Sequence, residues 1–115
     1  MTDHNFRRLD VYRVAKQALE LALSNRGHWM GMPGEMGPQM ERALVSVVLN
    51  IAEGAGRWNA ADQRRHYKIA SGSATEAAAA VEMAQLYGAP RAVCEQIDGL
   101  LRRVTQMLAA MIRRR

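Results

Sequence analysis

Residues 43–57 read ALVSVVLNIAEGAGR, and this stretch decides the fold. From Ala43 to Ala52 only Ser46 and Asn50 interrupt the apolar residues, and Glu53 follows. A helix that is apolar nearly all round is a buried helix. The run is too short to span a bilayer, so it belongs in the core of a helical protein. Ser46, Asn50 and Glu53 stand at i, i+4 and i+7, which makes one narrow polar line along the helix. Polar groups in such surroundings cost roughly 1–3 kcal/mol each when left without partners. Neighbouring helices are therefore expected to supply donors and acceptors in the same register.

Working outward, this helix is expected over residues 38–55, with Pro38 in its first turn and Gly54 and Gly56 closing it. Upstream, residues 25–38 (NRGHWMGMPGEMGP) carry four glycines and two prolines and break all periodicity. That loop nevertheless holds Trp29, Met30, Met32 and Met36, which are expected to tuck over the end of the core. Downstream, Asn59 is placed as an N-cap with Asp62 three residues on, opening a third helix over residues 60–87. Its small residues, Ala70, Ala74 and the alanines at 77–80, permit close backbone approach, and Ser73 and Glu76 offer a polar counterpart to Ser46, Asn50 and Glu53. Gly88 ends that helix and Pro90 restarts the chain. Val93, Ile97, Leu100, Val104, Met107 and Met111 then alternate by four and three over a fourth helix, 91–112. The first helix, 8–24, has a broad apolar arc of Val11, Val14, Ala18 and Leu21 beside Tyr12, Ala15, Leu19 and Ala22. Four helices, short links and no strand pattern give an all-α fold, an up-down-up-down antiparallel four-helix bundle over 1–115 as one domain.

Composition agrees with closely approaching helices: half the residues are apolar (49%), only 5% are aromatic, and there are eight methionines. Cys94 is the single cysteine, which excludes an internal disulfide and a thiolate metal cluster. The N-terminal MTDHNFRRLD has no apolar signal region and no run reaches transmembrane length, so a cytoplasmic protein with no membrane partner is expected.

The net charge is +5, and Lys16 and Lys68 are the only lysines beside the arginines. Alternating helix direction gathers Arg7, Arg8, Arg57, Arg64, Arg65, Lys68, Arg113, Arg114 and Arg115 toward one pole, against Asp3, Asp10, Glu53 and Asp62. The other pole has Arg26, Arg42 and Arg91 against Glu20, Glu35, Glu41, Glu82 and Glu95. Such a cluster neutralises several phosphates of an RNA or DNA backbone without reading sequence. The alternative is a bundle with a purely structural or protein-interaction role, whose arginines are solvated or paired with its own acids.

Residues for catalysis are not indicated. His4, His28 and His66 have no metal-ligand spacing, and His66 reads as an exposed helical residue among arginines. Glu53 and Glu76 read as hydrogen-bonding residues of the core, Cys94 as a buried or idle thiol, and no cofactor or metal is expected.

The run SVVLNIAEGAGR and the later IASGSATEA resemble a bacterial family, the four helix bundle proteins found as open reading frames in intervening sequences of large-subunit ribosomal RNA genes. That family is in turn similar to the accessory variability determinant of diversity-generating retroelements. The resemblance extends over FRRLDVYRVA, QMERALVSVVLNIAEGAGR, DQRRHYKIASGSATEA and the last apolar helix. It implies a bundle assembled as a homopentamer with no enzymatic activity and, for the retroelement relatives, a basic surface that binds nucleic acid and a reverse transcriptase. Asn50, Glu53, Gly54, Arg57, Ser73 and Glu76 match the signature positions. The chain departs from the family between Trp29 and Gln39, where glycines stand in place of a better-formed helix start.

Overall fold

The computed structural model describes residues 5–114. Asp3, His4 and Arg115 of the sequence reading lie outside the described residues. The described chain forms α1 (Asp10–Ser24), α2 (Met36–Ala55), α3 (Ala60–Leu86) and α4 (Arg91–Arg113), with 3-10 turns at Asn5–Arg8 and Arg26–His28. Each helix packs on its chain neighbours and α1 closes the ring on α4, so the helices stand at the corners of an up-down-up-down bundle. The molecule is a rod of 45 × 24 × 23 Å. At 1.5 Å per residue the 27-residue α3 is about 40 Å long and runs nearly its whole length. None of the helices among the described residues is long and apolar enough to cross a membrane.

Leu44, Val47 and Ile51 of α2 are fully enclosed, together with Tyr67 of α3 and Ile97, Leu101, Val104 and Leu108 of α4. On α4 the buried line is therefore Val93, Ile97, Leu101, Val104, Leu108, while Leu100, Met107 and Met111 are only partly covered. The periodicity centres the stripe one residue away, on Leu100 and Met107, with Leu101, Leu108 and Ile112 widening it. Both lines are apolar, so the pattern alone does not separate the middle of the stripe from its edge.

The α1–α2 connection covers the end of the core as expected for some of its apolar residues but not all. Trp29 and Met32 are buried and belong to the core, whereas Met30 is exposed. Helix α2 starts at Met36, two residues before Pro38, because a proline within the first turn lacks only an N–H that the helix does not use. Helix α3 opens as its sequence predicts: Asn59 Oδ1 accepts the Asp62 amide at 2.7 Å. It closes at Gly88, whose φ of 100° is left-handed. There the Ala89 amide donates to the Ala84 carbonyl and the Gly88 amide to Gln85, the paired bonds of a Schellman end.

Gly54 has a different task from the cap the sequence suggested. Helix α2 continues to Ala55 and ends at Gly56 with a right-handed φ of −87°. Gly54 is buried inside the helix, and a Cβ there would lie 2.6 Å from Tyr67 Cε1 and 2.9 Å from its Cδ1. The missing side chain lets the Tyr67 ring lie directly on the α2 backbone. Gly54→Ala is therefore expected to lower unfolding stability by about 1–3 kcal/mol, the range for an overpacked core. Gly99→Ala, where nothing lies within 4 Å of the added carbon, should instead raise it by roughly 0.5–1 kcal/mol. Urea unfolding of both variants checks this, and an unchanged midpoint for Gly54→Ala would contradict the close approach.

Candidate functional site

Two features bear on function, a polar seam between α2 and α3 and the charged end of the rod to which it leads. In the seam, the Asn50 amide nitrogen donates to the Ser46 carbonyl at 3.0 Å and to Ser46 Oγ at 3.2 Å. A carbonyl only accepts, so the Asn50 side chain is fixed with Oδ1 toward His66 Nδ1, 3.1 Å away. Nδ1 must then carry the proton. The second ring nitrogen, Nε2, faces Arg65 Nη2 at 3.1 Å and accepts from it, because a guanidinium only donates. Ser46 Oγ, which accepts from Asn50, also shares a hydrogen bond with Ser73 Oγ at 2.7 Å, a bond that either hydroxyl can donate. The bonds therefore point one way from Arg65 through His66 and Asn50 to Ser46, and Ser73 closes the line.

This arrangement corrects three readings of the sequence. His66 is not exposed: its relative accessibility is 5%, and it is the buried polar residue among the described ones. It stands four residues before Ala70 on the stripe that continues through Ala74, Ala77, Val81 and Ala84, a periodicity that was available in the sequence. Glu53 is not within the core. It is exposed at the rim, 3.2 Å from Arg57 and 3.7 Å from His66 Nε2. Glu76 is exposed as well, beside Met36, Gln39 and Met83, because the buried register passes from Ser73 to Ala77 and turns residue 76 outward.

The seam ends at the pole that holds the start of α1, the end of α2, the start of α3 and the end of α4. Leu9, Asp10 and Val11 share a cavity of about 360 Å³ with Met107, Met111 and Arg114, which places the first and last described segments side by side. The turn carrying Arg7 and Arg8 lies against α1 and α2. Arg7 stacks over Phe6 at 4.6 Å and accepts a bond from Arg13 at its carbonyl. Arg57 occupies the α2–α3 link and pairs with Glu53 at 3.2 Å and Asp62 at 3.7 Å; Arg65 pairs with Asp62 at 3.2 Å. Arg64 is half-buried, and Lys68 is exposed roughly 12 Å along α3 from its first residue. Arg113 and Arg114 are exposed at the end of α4. Arg8, Lys68, Arg113 and Arg114 make no ion pair with any described residue. The cations thus cover the tip and climb one flank along α3, a broader placement than a compact cluster.

The opposite pole differs in kind. There Arg26 pairs with Glu41 at 2.8 Å, Arg42 with Glu35 at 3.9 Å and Arg91 with Glu95 at 2.9 Å, so each arginine has its own carboxylate. Between the poles, the open face of α2 shows Val45, 40% exposed, and Leu49, 56% exposed. These two line a shallow groove of about 690 Å³ with Met30, Ser46 and Asn50. Groups of His, Cys, Asp and Glu able to hold a metal ion are absent among the described residues. Cys94 is buried, and burial pushes its thiol above the ordinary value, which keeps it protonated.

Residues 7–110 match the sequence profile of the 23S rRNA-intervening sequence proteins, and the chain belongs to that family. No curated protein matches it.

The direction of the seam bonds gives a test of its structural weight. Asn50→Leu leaves the buried His66 Nδ1–H without a partner, and should cost about 1–3 kcal/mol of unfolding free energy. Glu76→Gln, on the solvent side of the same helix pair, should change it by less than about 0.5 kcal/mol. Thermal melts read both, and equal melting temperatures would place Asn50 in water.

Proposed function

We propose that this member of the 23S rRNA-intervening sequence protein family is a non-enzymatic, oligomeric bundle that binds nucleic-acid phosphates through its basic pole and acts as an adaptor. The observation that carries the reading is the imbalance between the two ends. Eight described cations at one pole (Arg7, Arg8, Arg57, Arg64, Arg65, Lys68, Arg113, Arg114) face only Asp10, Glu53 and Asp62. The pairs of Arg57 and Arg65 do not remove them from the surface, since all four side chains involved are exposed by about a third or more. Exposed pairs of this sort contribute roughly 0.2–1 kcal/mol, so a phosphate competes with the carboxylate on near-equal terms. Charge of one sign at one tip attracts a polyanion through counterion release, independent of base sequence.

The uncovered Val45 and Leu49 on α2 favour a protein-contact role as well, either between copies of this chain or with a protein such as a reverse transcriptase. As a second reading, that contact is the whole function and the charge serves solubility alone. The family resemblance favours five copies. A solution mass near five times the 12.8 kDa chain would agree, and a monomer would remove the oligomer from the account.

A salt titration against arbitrary RNA and DNA separates the two readings. With about four phosphate contacts, duplex affinity should fall about a hundredfold between 50 and 200 mM salt. Substituting Arg8, Lys68, Arg113 and Arg114 by glutamine should flatten that slope and leave the melting temperature in place. The absence of binding at low salt would leave only the protein-contact reading.

A further inference from the structure

Trp58 is 89% exposed, the most open of the large apolar side chains among the described residues. Single exposed apolar residues are ordinary on protein surfaces. This one differs in what surrounds it and in what it lacks. It sits directly before the Asn59 cap of α3, where an apolar residue commonly packs on the fourth residue of the helix as a staple. That fourth residue is Gln63, a polar side chain whose amide is spent on the Arg57 carbonyl at 3.2 Å. The indole therefore has no packing task of its own.

The backbone on both sides of the ring is tied down. The Arg57 amide donates to the Gly54 carbonyl, and the Arg57 guanidinium reaches Glu53 and Asp62. Asn59 caps the Asp62 amide. The link that carries the ring is held in place, so binding there orders little of the backbone. Arg57 adjoins it in the chain, and Ala61, Arg65 and Lys68 follow at i, i+4 and i+7 on one face of α3, with all three exposed. Tyr87, also exposed, lies at the pole where the arginines are each paired. The exposed aromatic and the surplus positive charge coincide at Trp58.

We propose that Trp58 is a base-stacking platform and that this pole takes single-stranded nucleic acid, with an unpaired base on the indole and neighbouring phosphates on Arg57, Arg65 and Lys68. The inference rests on the phosphate-binding reading above and adds the substrate class to it. Bases within a duplex already stack on each other and offer no free face at the groove edge. Unpaired bases do, and stacking on an aromatic side chain is tolerant of base identity.

The two tryptophans make the test direct, because Trp29 is wholly buried while Trp58 is open, so red-edge indole emission reports Trp58. The full chain is titrated with a fluorescein-labelled oligothymidylate and, separately, with its duplex with oligoadenylate, following anisotropy and indole emission at low salt. The single strand should quench the red-edge emission. Trp58→Ala should weaken single-strand binding about tenfold or more, Trp58→Phe should retain most of it, and neither should alter duplex affinity. Circular dichroism confirms that both variants fold. If Trp58→Ala binds both probes as the parent does and the parent's emission is unmoved at saturation, stacking is overturned while phosphate binding stands. If neither probe binds the parent at low salt, phosphate binding itself fails and this inference with it.

Discussion

The Tyr67 ring lying on the bare backbone of Gly54 is the constraint from which the rest of the architecture follows. With no side chain between them, α2 and α3 approach closely, and the surfaces that meet farther along must be small. The alanines at positions 70, 74 and 77 supply that on α3. The same closeness brings Ser46 within hydrogen-bond reach of Ser73 and Asn50 within reach of His66. Polar side chains at such an interface are a liability unless each finds a partner, and here the chain of bonds from Arg65 to Ser73 satisfies them in sequence. Specific pairing of this kind also fixes the register of the two helices, because a slip of one turn would break several bonds at once.

Register at the α2–α3 seam in turn decides what stands at the end of the rod. Arg65 is both the first donor of the seam and a partner of Asp62, so the polar seam and the charged surface are one continuous structure. The short link over residues 56–59 holds Arg57 and Trp58 at the tip, while the turn Asn5–Arg8 and the end of α4 bring further cations alongside. Cationic residues outnumber acidic ones there. At the far pole the balance is local, one carboxylate to one arginine. A rod with a charged end and an uncovered apolar flank has two separate surfaces, which suits a protein that holds a polyanion with one and another protein with the other.

Much of this was legible in the residues. The apolar run around Val47 and Ile51 marks α2, and the Asn59 cap and the left-handed Gly88 mark the two ends of α3, by local chemistry, which is what sequence spacing reports. The serine and asparagine of the seam were visible as an i, i+4 line. Their partner His66 reads as solvent-facing from its arginine neighbours, although its spacing from Ala70 and Ala74 places it on the buried face. Glu53 and Glu76 fell outside the seam for a related reason. Periodicity gives a face to within a residue or so, and which edge of that face is covered depends on the angle at which the next helix crosses. The role of Gly54 was hidden more deeply, since a close approach depends on a tyrosine thirteen positions away. The sequence pattern also put the basic residues together at a tip, whereas the helical rise of α3 carries Lys68 well up the flank.

The central claim is that one end of this rod, and not the other, meets nucleic acid. Ultraviolet cross-linking of a bound RNA to the protein, followed by mass spectrometry of the modified peptides, locates that contact directly. Adducts confined to the turn Asn5–Arg8, the segment 57–68 and the end of α4 are the expected result. Adducts centred on Arg26, Arg42 and Arg91, or spread evenly over the molecule, would contradict it.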